Sequence, residues 1–109
     1  MNYTWRILKL GLQDELNSEG TLLENSVVNV KWRRHATDTD GVTASYVGNS
    51  TFSAADTPAA DFIALNDLTN VQVIEWLEAE IVGAELSRIN EQLNIKINRA
   101  RTRQIKPGW

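Results

Sequence analysis

The sequence contains no cysteine and a single histidine. Without cysteine, disulfides and thiolate metal sites are excluded, and one histidine leaves no zinc ligand set at the usual spacing. That lack fits assembly in a reducing cytoplasm. No apolar run approaches the ~20 residues needed to span a bilayer, so no membrane contact is expected. Arg6 and Lys9 interrupt the apolar start of the chain, and residues 1–12 do not read as a secretory signal. The Asn-x-Thr sequons at Asn2 and Asn49 are accordingly read as chance matches. Phosphate cradles of the Walker or dinucleotide type are missing, as is the Gly-x-Ser-x-Gly turn that presents a nucleophilic serine. No enzyme and no cofactor are expected.

What is present is a chain of 109 residues, 42% hydrophobic and 23% charged, with a net charge of −3. This is the size and balance of one globular domain with an ordinary core. The charge is unevenly placed. Past Glu91 there is no acidic side chain, whereas Lys96, Arg99, Arg101, Arg103 and Lys106 all fall there. Such a basic end complements a helix dipole, and it also offers a contact for nucleic acid or an acidic partner.

Hydrophobic periodicity predicts an α+β fold. Residues 3–12 read as a strand with Tyr3, Trp5 and Ile7 on one face and Leu8, Leu10 and Leu12 on the other. A strand apolar on both faces is either buried on both sides or meets a neighbouring subunit. Polar residues 13–21 form a connection, with Gly20 free to take positive φ. In a second strand, 26–37, Val28, Val30 and Trp32 oppose Asn29, Lys31, Arg33 and His35. Asp40-Gly41 then marks a hairpin turn; the further ligands of a calcium loop are missing. Residues 42–53 supply a third strand, in which Val42, Ala44, Tyr46 and Phe52 share a face and Gly48 signals a close backbone approach. The expectation is an antiparallel three-stranded meander. Phe62, Ile63 and Leu65 would tuck the connector 54–66 onto the core, with an additional short fourth strand as an option.

Thr69 and Gln72 match a capping box, with Leu68 and Val73 at the flanking apolar positions. Val73, Leu77 and Ile81 then share one helical face, and Leu86, Ile89, Leu93 and Ile97 form a second stripe beyond Gly83. One kinked helix or two C-terminal helices satisfy the pattern. The stripe of the second piece can pack on its own sheet or on a partner. Residues 1–103 make one domain and 104–109 a non-helical tail ending in Trp109.

Side chains of the types that do chemistry read as ordinary surface. His35 lies on the polar strand face, and Glu75, Glu78 and Glu80 lie on a solvated helix face. Lys31 to His35 mix basic and aromatic residues, but alternation sends Trp32 away from Lys31 and Arg33, so nucleic acid is not favoured there.

The chain also resembles a family of small uncharacterised proteins of tailed bacteriophages, especially those infecting marine cyanobacteria. The features are Tyr3-Thr4-Trp5 with Ile7, Leu23-Glu24-Asn25-Ser26-Val27-Val28 leading to Trp32, and Thr37-Asp38-Thr39-Asp40-Gly41. Phe62-Ile63-Ala64, Asp67-Leu68-Thr69, Val73, Trp76-Leu77-Glu78 and a tail ending Pro107-Gly108-Trp109 complete them. The resemblance implies a virion component, made in the host cytoplasm, that decorates the capsid or belongs to the neck or tail. Its partners would be other phage structural proteins and further copies of itself in a symmetric assembly. The candidate interface residues are Leu8, Leu10, Leu12, Leu93, Ile97, Arg101, Arg103 and Trp109. A host-directed binding protein outside the particle, and nucleic-acid contact through the basic C-terminal segment, are the alternatives.

Overall fold

The computed structural model describes residues 1–101 and 107–108. Three strands, β1 (Asn2–Leu16), β2 (Leu22–Thr37) and β3 (Thr43–Thr51), form an antiparallel sheet in the order β1-β2-β3. Two helices follow, α1 (Asn70–Glu80) and α2 (Gly83–Arg101). This is the expected α+β meander with two C-terminal helices. A fourth strand is not formed among the described residues: the connector holds one 3-10 turn, Leu65–Asp67.

The helix break falls where the second stripe begins. The N–H of Ile81 closes α1 on the Leu77 carbonyl at 2.8 Å, and Ile81 itself is extended. Gly83 takes φ +58°, a value glycine adopts without steric cost. At the other end of α1 the Thr69 hydroxyl accepts from the Gln72 N–H, and the Gln72 side chain accepts from the Thr69 N–H, closing the capping box.

Both helices cover one face of the sheet. Val73, Leu77 and Ile81 meet Ile89, Leu93 and Ile97 over Val27, Val30, Trp32 and Ala36. Leu93 and Ile97 are 0% and 1% exposed. The stripe of α2 therefore packs in its own domain, and these two residues are core, not partner contacts. Burial of a leucine or isoleucine contributes about 1.5–3 kcal/mol, which explains why the helix seats here.

Trp32 lies at the centre of the sheet side of this core. Its ring meets Trp5 edge-on at 5.1 Å and stacks against Tyr46 at 5.9 Å. Its Nε1 donates to Ser50 Oγ at 3.0 Å. Gly48 is its cross-strand neighbour, and a Cβ there would stand 2.4 Å from Trp32 Cζ2. The glycine thus makes room for the indole. Gly48→Ala should lower stability by about 1–3 kcal/mol through overpacking, checked by urea denaturation. An unchanged midpoint would show that the indole yields freely.

The two-faced reading of β1 is corrected by a bulge. Ile7 pairs with Trp32 but Lys9 pairs with Lys31, so Leu8 is an extra residue in the ladder. One inserted residue reverses the alternation beyond it. Leu10 consequently joins Tyr3, Trp5 and Ile7 against the core, and Leu8 is left exposed on its own. A second bulge, where Gly11 pairs with Asn29 and Leu12 with Val27, half-buries Val28 and gives the more buried position to Val27.

β1 and β2 are far longer than the pattern predicts. At about 3.3 Å per residue each runs roughly 50 Å, and β3 pairs only with Asn29 to Thr37. Residues 11–16 and 22–28 therefore continue as a two-stranded arm beyond β3. The molecule measures 74 × 25 × 20 Å, with a radius of gyration of 19.0 Å, against roughly 13 Å for a compact chain of this size.

Candidate interaction site

The arm is built from the same β1 residues that carry the core. β1 has no insertion after Leu8, so Leu10, Leu12 and Leu16 share one face by simple alternation. Leu10 is packed, whereas Leu12 is 40% and Leu16 66% exposed. Leu22, directly opposite Leu16, is 52% exposed. Asp14 interrupts this face between Leu12 and Leu16, and Leu23 of the arm is buried, so what is left uncovered past the helices is Leu12 and, beyond Asp14, the opposed pair Leu16 and Leu22.

A two-stranded ribbon is marginal alone, and this one is pinned by the connector. Glu15 Oε2 accepts from the Ser53 hydroxyl at 3.0 Å and the Ala54 N–H at 2.9 Å. Ser18 N–H donates to the Ala55 carbonyl at 2.7 Å, and Asn17 Nδ2 to the Thr57 carbonyl at 2.9 Å. Asn17 is buried, and its Oδ1 accepts the N–H groups of Glu19 and Thr21 to fold the tip. Asp14 Oδ1 accepts from the N–H of Asn25, which takes φ +53° where β2 bulges.

Beside the arm the connector and α1 border an open pocket of about 540 Å³. Phe52, Phe62, Ile63, Leu65 and Trp76 line it. Phe62, Ile63 and Leu65 are thus half-buried around this pocket and do not pack onto the core cluster as expected, whereas Leu68 does. Glu80 stands at its edge, where desolvation first, and Glu85 second, raise its pKa above the ordinary glutamate value.

The opposite face of the sheet is covered by neither α1 nor α2. It presents Thr4, Arg6 and Lys9 from β1, Asn29, Lys31, Arg33 and His35 from β2, and Ser45, Val47 and Asn49 from β3. His35 Nδ1 lies 3.0 Å from Ser45 Oγ. Separation of Trp32 from Lys31 and Arg33, expected from alternation, is what the sheet has.

One basic residue of this strand points the other way. Arg34 is 8% exposed on the helix side. Its guanidinium lies 4.5 Å from the Trp5 ring centre and 4.9 Å from that of Tyr3, and its Nε donates to Asn90 Oδ1 at 2.8 Å. Tyr3 in turn donates to Asn94 Oδ1 at 2.9 Å. Desolvation lowers the pKa of Arg34, opposed by Tyr3 and Glu78. The cation is thus held by two aromatic faces and an amide, tying β1, β2 and α2 together. Its parity with Val30, Trp32 and Ala36 was the signal for burial.

Arg101 is likewise committed within the fold. Its Nε donates to Asp38 Oδ2 at 2.7 Å, Nη2 reaches the same oxygen, and Asp40 lies 3.6 Å away. Asp38 Oδ1 accepts the N–H groups of Asp40 and Val42 at 2.8 and 2.9 Å. Desolvation pushes the Asp38 carboxyl upward, but these backbone bonds and Arg101 outweigh it and hold the pKa below the ordinary 3.8. A depressed carboxylate pKa contributes stability above the unfolded value that is lost as pH falls through the folded value. Wild type should therefore lose more stability than Asp38→Asn below about pH 4, measured by urea denaturation at pH 3 and 7. Equal losses would remove this turn from the acid response.

Of the predicted interface residues, Leu8 and Leu12 are exposed, Leu10 is partly buried against the core, and Arg101 is paired with Asp38. Arg103 and Trp109, with the boundary between domain and tail, lie outside the described residues. Leu16 was missed because residues 13–21 around it read as a connection, and Leu22 because residues 22–25 fall before the predicted start of the second strand. Among the described residues no group of three or more His, Asp or Glu side chains is placed to hold a metal ion, and no helix is long and apolar enough to cross a membrane.

A family model described as "Domain of unknown function (DUF7936)" matches residues 1–109. No curated protein and no solved structure matches the chain.

Proposed function

We propose, from the premise that the chain belongs to the DUF7936 family, that it is a non-enzymatic structural or accessory component of a phage particle. It acts there by contacting other particle proteins. The observation that carries this reading is the uncovered apolar side of the arm, where Leu12, Leu16 and Leu22 stay exposed on strands anchored by the connector. Exposed aliphatics at the end of an anchored element, here the opposed pair Leu16 and Leu22, are what a neighbouring subunit covers. A free strand edge on β1 adds main-chain groups for pairing. The resemblance to small phage proteins supplies the setting, capsid surface, neck or tail. Mass spectrometry of purified particles tests it: the protein should be present at a fixed ratio to the major structural proteins. Its absence from particles, with abundant expression in infected cells, would transfer the contact to a host protein.

A further inference from the structure

We infer that the open face of the sheet is a binding surface for the phosphate backbone of duplex nucleic acid. The proposal goes beyond the particle-contact reading and does not depend on it. Arg6 and Arg33 are directly paired across β1 and β2, and so are Lys9 and Lys31. Like charges in opposed positions destabilise a sheet, yet this sheet stacks two such pairs next to each other. No aspartate or glutamate occurs in residues 2–13, 26–37 or 43–51, the strand segments that build this face and its reverse. None of the four cations makes an ion pair with the described residues; those ion pairs belong to Arg101. In a chain of net charge −3, this is a segregation of positive charge onto one surface with no ion-pair partner among the described residues.

The surroundings fix the kind of anion. Thr4 and Asn49 flank the cations as neutral donors of the type that positions phosphates. Trp5, Trp32 and Tyr46 are all turned to the helix side, so among the described residues the open face lacks the stacking platform that single-stranded nucleic acid requires. What remains is backbone contact without base readout, which suits a duplex of any sequence. The competing occupant is the acidic outer side of α1 in a second copy, with exposed Glu75 and Glu78.

Fluorescence anisotropy with a labelled duplex of arbitrary sequence, titrated at several salt concentrations, tests the assignment on the full chain. Four phosphate contacts predict a slope of log K against log salt of about −3 to −4, or roughly a hundredfold loss of affinity for a fourfold rise in salt. Arg6→Gln with Arg33→Gln should reduce the slope by about two and weaken binding at least about tenfold at low salt. The same variant should melt at a higher temperature than wild type, because a like-charge pair is gone. That opposite sign separates lost binding from lost folding. Absence of salt-dependent binding, an unchanged slope in the variant, or an equal drop in slope for Arg99→Gln on α2 would overturn the proposal. Self-association in the absence of duplex that the double variant abolishes would overturn it too, giving the face to a second copy.

Discussion

Trp32→Ala should cost about 3–5 kcal/mol, a large part of the roughly 5–15 kcal/mol that holds a domain folded. Three losses combine. The indole is 3% exposed and leaves a cavity between Trp5 and Tyr46. Ser50, itself buried, loses the donor to its hydroxyl. Gly48, which permits the close approach of the ring, then leaves extra empty space. Denaturation followed by circular dichroism should show a large drop in midpoint. Trp32→Phe should fall between the two, since it keeps a ring but not the Ser50 bond. A Trp32→Ala midpoint near wild type would mean that the centre of the sheet does not organise the core.

Leu93→Ala should cost about 2–5 kcal/mol, because Leu93 is fully buried between Ile89 and Ile97 against the sheet. The prediction separates two roles that the helical stripe alone left open. A core leucine lost to alanine destabilises the isolated protein. A partner-facing leucine leaves the isolated protein unchanged within about 0.5 kcal/mol and weakens only assembly. Leu16→Ser is the contrasting variant, with its side chain on the exposed arm. If Leu93→Ala left stability intact, α2 would not be seated on this sheet in solution.

Much of the architecture was legible because local signals agreed with the global fold. Strand period, the Asp-Gly turn and the Thr69–Gln72 capping box each named their element, and Gly48 announced the close approach to Trp32. The misreadings share a physical cause. Alternation is counted from residue to residue, so the single inserted Leu8 moved Leu10 to the opposite face from the one counted. The polar residues 13–15 and 17–21 around Leu16 satisfy a solvent-exposed ribbon and its turn as well as they satisfy a loop. Nothing local distinguishes the two, and the arm is held by Glu15, Asn17 and Ser18 reaching a connector about 40 positions away in sequence. The partner of Arg101 was hidden for the same reason, since Asp38 lies 63 positions upstream. Opposed cations on the open face emerge only once the β1–β2 register is known.

The arm carries the central claim, and a phage bearing Leu16→Ser with Leu22→Ser tests it most directly. The measurement is the ratio of this protein to the major structural protein in purified particles, by quantitative mass spectrometry. Both side chains are exposed in the free protein, so the amount of folded protein in infected cells should match wild type. Loss of two leucines from a covered contact should lower the ratio in particles at least about tenfold. An unchanged ratio, with normal levels in the cell, would contradict the account and leave the arm without a role in assembly.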